Sequence, residues 1–170
     1  MVIENLLRTL RETPMDLRTL GTLLPSYATT ATYDQIKGKH RSEIFRNHAC
    51  VVLLIPSQFS KIGHFVVLLR RVKAIEYFSS LGGSPYSELM ALGQEKSAFL
   101  ELLGNNFIYN SKPLQSQQST IHDCALFCLA RIKLHRLKLA KFQEMFHRAV
   151  HLSTADDIVA MMTILLVTEL

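Results

Sequence analysis

The N-terminal half of the chain changes from an amphipathic helical pattern to continuous apolar runs. Apolar side chains at positions 3, 6, 7 and 10 follow the spacing of a helix. Pro14 either ends this helix or begins a second short helix that runs to Leu24, where Pro25 stops it. Residues 27–48 are polar, threonine-rich and basic, which predicts a loop with short extended pieces.

Three mainly apolar segments predict buried strands, and the first of them is a continuous run that is typical of a strand buried on both faces. They are residues 49–55, which Pro56 closes, residues 64–72 and residues 74–78. A turn over 57–63 joins the first two strands, and the basic residues 70–73 mark a hairpin between the second and the third. The stretch LGGSP at 81–85 ends the predicted sheet.

The rest of the chain has mainly helical spacing, with one short strand. The predicted helices cover 87–103, 123–137, about 139–150 and about 154–168, and the strand covers 107–109. Gly104 is expected to stop the first of these helices, and Asp123 to be the N-cap of the second. Ser153 and Asp156 resemble a capping pair for the last helix. Helices on either side of a small sheet predict an α+β fold.

Length and composition indicate one globular domain over residues 1–170. Hydrophobic residues make up 48% of the chain and charged residues 19%, which argues against disorder. Three cysteines do not suggest a disulfide framework, so we expect a reducing compartment. Arg8 interrupts the only apolar stretch near the start, so we expect no secretory signal. The apolar residues 158–167 fall short of the roughly 20 that a membrane span needs, which favours a core helix.

The chain is basic, with a net charge of +5 and an isoelectric point near 9.2. Lysine and arginine gather at 37–46, 70–73 and 131–141, without interleaved aromatic residues that would stack on bases. The charge fits either an ordinary basic protein or one that is attracted to nucleic acid or to an acidic partner.

Cys124 has the surroundings that most favour chemistry. It follows a polar, glutamine-rich segment and opens an apolar helix, where free backbone N–H groups and the helix dipole favour a thiolate. His64 begins a predicted strand, which would hold a base rigidly and leave it reachable. One cysteine, one distant histidine and nearby glutamines are the components of a cysteine hydrolase. Taken singly, Cys124 could be a buried structural thiol, and His64 a histidine that bonds the backbone.

Three glutamines precede the cysteine, namely Gln115, Gln117 and Gln118. A glutamine amide can donate to the oxyanion that forms when a thiolate attacks a carbonyl group, although the three could equally belong to a solvated loop. A metal site built on His122, Cys124 and Cys128 would lack both a C-x-x-C pair and a fourth ligand, so the sequence predicts none.

An ordered set of motifs resembles a known family. His64-Phe65 at a strand start is followed by EYFSSLG at 76–82 and by YNSKPLQSQQSTIHDCALFC at 109–128. In this order the motifs resemble the adenain/SUMO-protease class of cysteine peptidases, and most closely the capsid-maturation proteases of adenoviruses, virophages and Polinton-type elements. The resemblance covers residues 49–135 or so. It implies a papain-like or adenain-like fold, with a small central mixed or antiparallel β-sheet flanked by helices and the nucleophile at a helix N-terminus.

The resemblance also implies roles for individual residues. Cys124 would be the nucleophile, His64 the general base and then acid, and Ser79 a weak orienting residue for the imidazole. The flanking residues point to Gln115 as the oxyanion-hole glutamine, whereas the distance to the cysteine points to Gln118 or Gln117. We favour Gln118, because oxyanion geometry depends on chain distance from the nucleophile.

Three positions depart from the family pattern. Ser79 stands where an Asp, Glu or Asn is usual, Ala125 replaces the glycine after the nucleophile, and Phe65 replaces the tryptophan after the base. A serine hydroxyl can hold the ring but supplies no charge. Glu76 is the nearest acid in the sequence, yet three residues back along a strand it should face the other side of the sheet.

The resemblance implies a viral or mobile-element cysteine endopeptidase that processes capsid or core precursor proteins. It further implies a virion and infected-cell location, a polypeptide substrate, a monomer that does not bind membranes, and DNA as an activator, with no other cofactor required. Two alternatives remain open. The loss of the acid at Ser79 would suit a catalytically impaired virion or binding protein, and the QQ-x-x-x-x-D-C pattern would suit a deconjugase of ubiquitin-like modifiers.

Overall fold

The computed structural model describes residues 2–116, 122–149 and 153–168. In this part of the chain the helices are α1 (Val2–Glu12), α2 (Leu17–Thr22), α3 (Tyr33–Ile36), α4 (Arg41–Phe45), α5 (Pro85–Ala91), α6 (Ser97–Leu103), α7 (Cys124–Lys133), α8 (Leu139–Ala149) and α9 (Ala155–Thr168). The strands are β1 (Ala28–Thr32), β2 (Cys50–Ile55), β3 (His64–Arg70), β4 (Ile75–Phe78) and β5 (Phe107–Tyr109).

The five strands form one mixed sheet in the order β1-β2-β3-β4-β5. The central pairs β2–β3 and β3–β4 are antiparallel, and the outer pairs β1–β2 and β4–β5 are parallel. A small mixed sheet flanked by helices confirms the predicted α+β class. Ile55 pairs with His64 at the last position of the β2–β3 ladder, which places His64 at one end of the sheet.

Helices cover both faces of the sheet, which explains why its central strands are continuous apolar runs. Phe65, Val67 and Leu69 of β3 belong to the core that contains α7. The alternate residues Val66 and Leu68 belong to a second core that contains side chains of α5 and α6. Every side chain of α7 from Cys124 to Ile132 is buried, so this helix is the central one of the first core.

The predicted apolar core helix near the C-terminus is confirmed as α9, which packs on α7, α1 and α8. Val159 and Ala160 of this helix are fully buried. No helix in residues 2–116, 122–149 or 153–168 combines the length and the apolarity that a membrane crossing requires.

Two predictions differ from the structure. Residues 27–48 contain a short extended piece, as predicted, which is β1 and pairs along the edge of β2, but they also contain the short helices α3 and α4. The single helix predicted over 87–103 is two helices, α5 and α6. Between them, Leu92 accepts a backbone hydrogen bond from Gln58, and the Gln94 amide donates to the Pro56 carbonyl oxygen at 2.8 Å. These long-range bonds replace the helical ones.

One of the two predicted helix caps is at the predicted residue and the other is shifted. Asp123 is the N-cap residue of α7, as predicted, but its side chain accepts no hydrogen bond from an N–H group of the helix in the described part of the chain. Its carboxyl instead lies next to Asp156, and burial raises its pKa, with the Asp156 charge acting in the same direction. The cap of α9 is shifted by one residue from the predicted pair, because the Asp157 N–H donates to Thr154 Oγ1. Asp156 is thereby left to accept from the Ser116 N–H at 3.1 Å.

A buried ion pair fixes α7 to the sheet. Arg131 Nε donates to Glu76 Oε1 at 2.7 Å, and Arg71 Nε donates to the other carboxylate oxygen at 2.9 Å. The remaining Arg131 donors bond the carbonyl oxygens of Leu134 and Leu137, just beyond the end of α7. Arg131 is fully buried, so its charge is satisfied within the protein.

The turn after β4 depends on Gly82. Its φ is +71°, and a Cβ atom there would lie 2.4 Å from the backbone of Lys112 and Pro113. This close approach lets Leu114 and Gln115 donate their backbone N–H groups to the Ser80 carbonyl oxygen at 2.8 and 3.0 Å. Gly82 therefore holds the loop that precedes α7 against the end of the sheet.

Gly82→Ala is expected to lower the free energy of unfolding by about 1–3 kcal/mol, because it adds a backbone clash to left-handed strain. Urea denaturation measures the change. Gly38→Ala is the matched control, since Gly38 has a φ of +68° with no atom within 4 Å of the added Cβ. Equal losses in the two variants would show that the close approach at Gly82 does not contribute.

Candidate active site

His64 begins β3 at the end of the sheet and is almost fully buried. Its Nε2 atom lies 2.9 Å from Ser79 Oγ, in the loop that follows β4. Because Ser79 is hydrogen-bonded at Nε2, a group on the opposite side of the imidazole ring can exchange a proton with His64 only through Nδ1.

Hydrogen bonds to Asn110 and Leu81 hold Ser79 in place. The Ser79 N–H donates to Asn110 Oδ1 at 3.0 Å, and Asn110 Nδ2 donates back to the Ser79 carbonyl oxygen at 2.6 Å. The Leu81 N–H donates to Ser79 Oγ at 3.2 Å. These bonds fix the serine oxygen beside the imidazole. Asn110 has no assigned role in the sequence-based prediction, although it belongs to the YN pair of the family resemblance.

Cys124 is the first residue of α7, and its sulfur lies at the start of β3. Backbone N–H groups of Phe65, Ala125 and Cys124 itself are placed to hydrogen-bond its thiolate form. Phe65 directly follows His64 in the chain, so the fold brings the helix start and the histidine together. Cys50 and Cys128 are free thiols with no exposed surface, whereas Cys124 keeps 9% of its surface exposed.

His64, Cys124 and Gln115 line one cavity of about 300 Å³. Much of its wall is apolar and comes from Met15, Leu17, Leu54, Ile62 and Leu81. The segment before α2 therefore forms one side of the candidate site, which the sequence did not indicate. It is tied to the start of α7, because the His122 N–H donates to the Arg11 carbonyl oxygen at 2.7 Å.

The resting protonation states follow from burial. Burial lowers the pKa of His64 to about 4, so the imidazole is neutral at pH 7. Burial raises the pKa of Cys124 to about 11, and the three backbone N–H groups offset this only partly. At pH 7 the cavity therefore contains a neutral thiol and a neutral imidazole.

The alkylation rate of Cys124 by iodoacetamide is expected to rise about tenfold per pH unit from pH 7 to pH 10, because only the thiolate reacts. A preformed thiolate–imidazolium pair would instead reach its plateau below pH 7. Peptide-resolved mass spectrometry measures the rate at Cys124 separately from those at Cys50 and Cys128. The urea-denatured chain is the control, and its thiols should react faster than native Cys124 at pH 8.5. A native plateau near neutral pH would contradict these protonation states.

Glu88 is the acidic residue that the sequence-based reasoning missed. It projects from α5 with its side chain buried, and its Oε2 atom lies 3.9 Å from His64 Nε2. The Tyr77 hydroxyl donates to the same oxygen, and the Gly83 N–H donates to Oε1 at 3.0 Å. No local motif marks it, because only the packing of α5 on β4 brings it to the histidine.

Glu76 lies on the opposite face of the sheet from His64, as predicted, where it bonds Arg71 and Arg131. It therefore does not act on the imidazole. Ala125 and Phe65, the other two departures from the family pattern, are both buried, and Phe65 also lines the cavity.

Of the three candidate glutamines, Gln115 is described, whereas Gln117 and the favoured Gln118 lie outside the described residues. Gln115 is buried, and its Oε1 atom accepts from Ser80 Oγ at 2.6 Å. Its side chain also lines the cavity that His64 and Cys124 share.

No family model matches the chain, and no curated protein sequence matches it. Among solved structures, the chain is similar to the C-terminal Ulp1 protease domain in complex with Smt3, the yeast ortholog of SUMO. That match has 13% identity and a TM-score of 0.42, over 96% of this chain and 81% of the other. A structure of the SUMO protease Ulp1 with its catalytic cysteine oxidized to a sulfonic acid matches with 13% identity and a TM-score of 0.34, over 96% and 76%. Both TM-scores are below 0.5, so the functional assignment rests on the geometry of the site.

Proposed function

We propose that this chain is a cysteine peptidase in which Cys124 is the nucleophile and His64 is the general base. One observation carries the proposal. Cys124 at the N-terminus of α7 and His64 at the start of β3 line the same cavity. A thiol, a neutral imidazole and backbone donors at one cavity wall are the parts that acyl transfer needs.

The reaction follows from these positions. His64 Nδ1 takes the Cys124 proton as the sulfur attacks the carbonyl carbon of the scissile bond. The resulting oxyanion accepts hydrogen bonds from backbone N–H groups at the start of α7 and from a glutamine amide, supplied by Gln115 or Gln118. The imidazolium then protonates the leaving amine, and the C–N bond breaks. Water hydrolyses the thioester, with His64 again as the base, which restores the thiol.

The substrate that we propose is an internal peptide bond next to an apolar side chain. The cavity beside Cys124 holds about 300 Å³, and Met15, Leu54 and Ile62 are among its apolar walls. Such a volume accommodates one bulky apolar side chain, whereas the di-glycine tail of a ubiquitin-like modifier has none to place there. This favours endopeptidase action over deconjugation.

A finer proposal concerns the biological substrate. The family resemblance of the sequence supports processing of capsid or core precursor proteins of a virus or mobile element, within the virion or the infected cell. The net charge of +5 is compatible with DNA as an activator. Both proposals rest on sequence and charge rather than on the site.

Cleavage of a proteome-derived peptide library, read by mass spectrometry, tests the activity and the apolar preference together. We expect cuts next to bulky apolar residues, with a higher rate when duplex DNA is added at low salt. A SUMO–rhodamine and a ubiquitin–rhodamine reporter test the deconjugase alternative. If either reporter is cleaved while the peptide library stays uncut, the endopeptidase proposal is overturned. If no substrate is cleaved, the proposal of peptidase activity itself is overturned.

A further inference from the structure

Ser79 stands where a charged orienting residue would be expected, but a carboxylate lies directly behind it. We infer that Glu88 is a positioning residue for His64, whose carboxylate beside Nε2 selects the imidazole tautomer and stabilises the imidazolium. This inference rests on the proposed peptidase function. It is carried by the 2.9 Å separation of His64 Nε2 and Ser79 Oγ and the 3.9 Å separation of His64 Nε2 and Glu88 Oε2.

The groups around His64 Nε2 determine which ring nitrogen carries the proton. A serine hydroxyl donates one bond and accepts two. Its oxygen already accepts from the Leu81 N–H at 3.2 Å. A second acceptor site of Ser79 Oγ faces His64 Nε2 at 2.9 Å. Glu88 Oε2 lies 3.9 Å from the same nitrogen, and a negative charge this close favours the proton on Nε2.

A proton on Nε2 leaves Nδ1 as the unprotonated ring nitrogen. This is the nitrogen on the side away from Ser79, and it is the atom that the proposed mechanism requires as the base. When Nδ1 takes the Cys124 proton, the ring becomes positively charged within 3.9 Å of the Glu88 carboxylate. The carboxylate therefore stabilises the imidazolium as it forms, while a serine alone would only hold the ring.

Two donors face the Glu88 carboxylate, as its ionised form requires. The Tyr77 hydroxyl and the Gly83 N–H both donate to it, although burial raises its pKa overall. Burial also raises the pKa of Tyr77 well above its ordinary value, so that side chain remains a donor. The only other titratable groups that face this carboxylate in the described part of the chain are His64 and the buried thiol of Cys128.

Gly83 shows that the chain is built around this carboxylate. A Cβ atom at Gly83 would lie 2.7 Å from Glu88 Cγ and 2.8 Å from Oε1. The missing side chain therefore lets the backbone N–H reach the carboxylate. This contact does not involve His64, and it shows that the turn after β4 packs closely against the Glu88 side chain.

Glu88→Gln tests the inference, because it keeps the shape and removes the charge. An opposite charge this close shifts a pKa by about 1–3 units, so kcat/KM on a library-derived peptide should fall about tenfold or more, with KM little changed. Ser79→Ala should lose at least as much activity. Ser79→Asp should bring no gain, because it places a second carboxylate beside Glu88. Glu101→Gln, at an exposed acid on α6, is the matched control and should keep full activity.

Nitrogen-15 NMR of the substrate-free protein provides a readout that does not depend on peptidase activity. In the wild type the His64 ring should be the Nε2–H tautomer, and Glu88→Gln should lower its imidazolium pKa. Folded Glu88→Gln protein with an unchanged His64 pKa would overturn the inference, and so would a tenfold gain in Ser79→Asp. Should the wild type cut no peptide, the NMR shifts alone decide the role of Glu88, so the two failures are distinguishable.

Discussion

Cys124→Ser is expected to abolish cleavage of every peptide that the wild-type protein cuts. A serine hydroxyl is a far weaker acid than a cysteine thiol, so the buried, neutral His64 is too weak a base to remove its proton readily. Loss of a nucleophile from a catalytic unit typically costs about 10⁴-fold or more in kcat. Single-turnover cleavage, followed by mass spectrometry, measures the residual rate.

Cys128→Ser is the matched control for this substitution. Cys128 lies one turn further along α7 and is fully buried in the core. Its replacement should lower the melting temperature, because a hydroxyl is placed among apolar side chains, but it should leave the rate per folded molecule nearly unchanged. Retention of more than a hundredth of the wild-type rate by Cys124→Ser would refute Cys124 as the nucleophile.

Arg131→Met is expected to lower the free energy of unfolding by about 3–5 kcal/mol, as for other buried pairs that lose one partner. The substitution leaves Glu76 buried with Arg71 as its remaining cation, and it also leaves the Leu134 and Leu137 carbonyl oxygens without the Arg131 donors. For a domain of this size, each kcal/mol shifts the melting temperature by about 2–4 °C, so the loss should be about 6–20 °C. Differential scanning calorimetry measures it.

Two further variants show whether burial is the cause. Arg148→Met removes an exposed ion pair with Glu144 and should lower the melting temperature far less than Arg131→Met does. The double variant Glu76→Met with Arg131→Met should be more stable than Arg131→Met alone, since it leaves no buried carboxylate with a missing partner. A melting temperature for Arg131→Met within 1 °C of the wild type would contradict the role given to this ion pair.

Much of the fold is predictable because burial on both faces leaves a clear pattern. The segments that form β2, β3 and β4 are mainly apolar for this reason, and the predicted helices after residue 122 are all present. Strand β1 was predicted only as a short extended piece within a loop, because its threonines form an edge strand, where pairing with β2 replaces an apolar pattern. The break between α5 and α6 was not predicted, because it depends on long-range hydrogen bonds to Pro56 and Gln58.

Only those site residues that lie in a recognisable sequence pattern could be predicted. The helix start at Cys124 and the strand start at His64 are visible in the sequence, and the fold brings both to one cavity. Glu88 has no such signal, since its nearness to the imidazole depends on how the Gly83 turn and α5 pack. The serine at position 79 therefore suggests that the site lacks a negative charge, whereas the structure places the Glu88 carboxylate of α5 near the imidazole.

The most direct test of the central claim is the site of covalent labelling by a peptidyl vinyl sulfone with an apolar residue next to the electrophile. Tandem mass spectrometry after brief exposure at pH 7.5 should locate the adduct on Cys124, with Cys50 and Cys128 unmodified. His64→Ala should remove the labelling, although Cys124 remains present in that variant. Labelling of Cys50 or Cys128 in preference to Cys124, or equal labelling of Cys124 without His64, would contradict a Cys124–His64 active site.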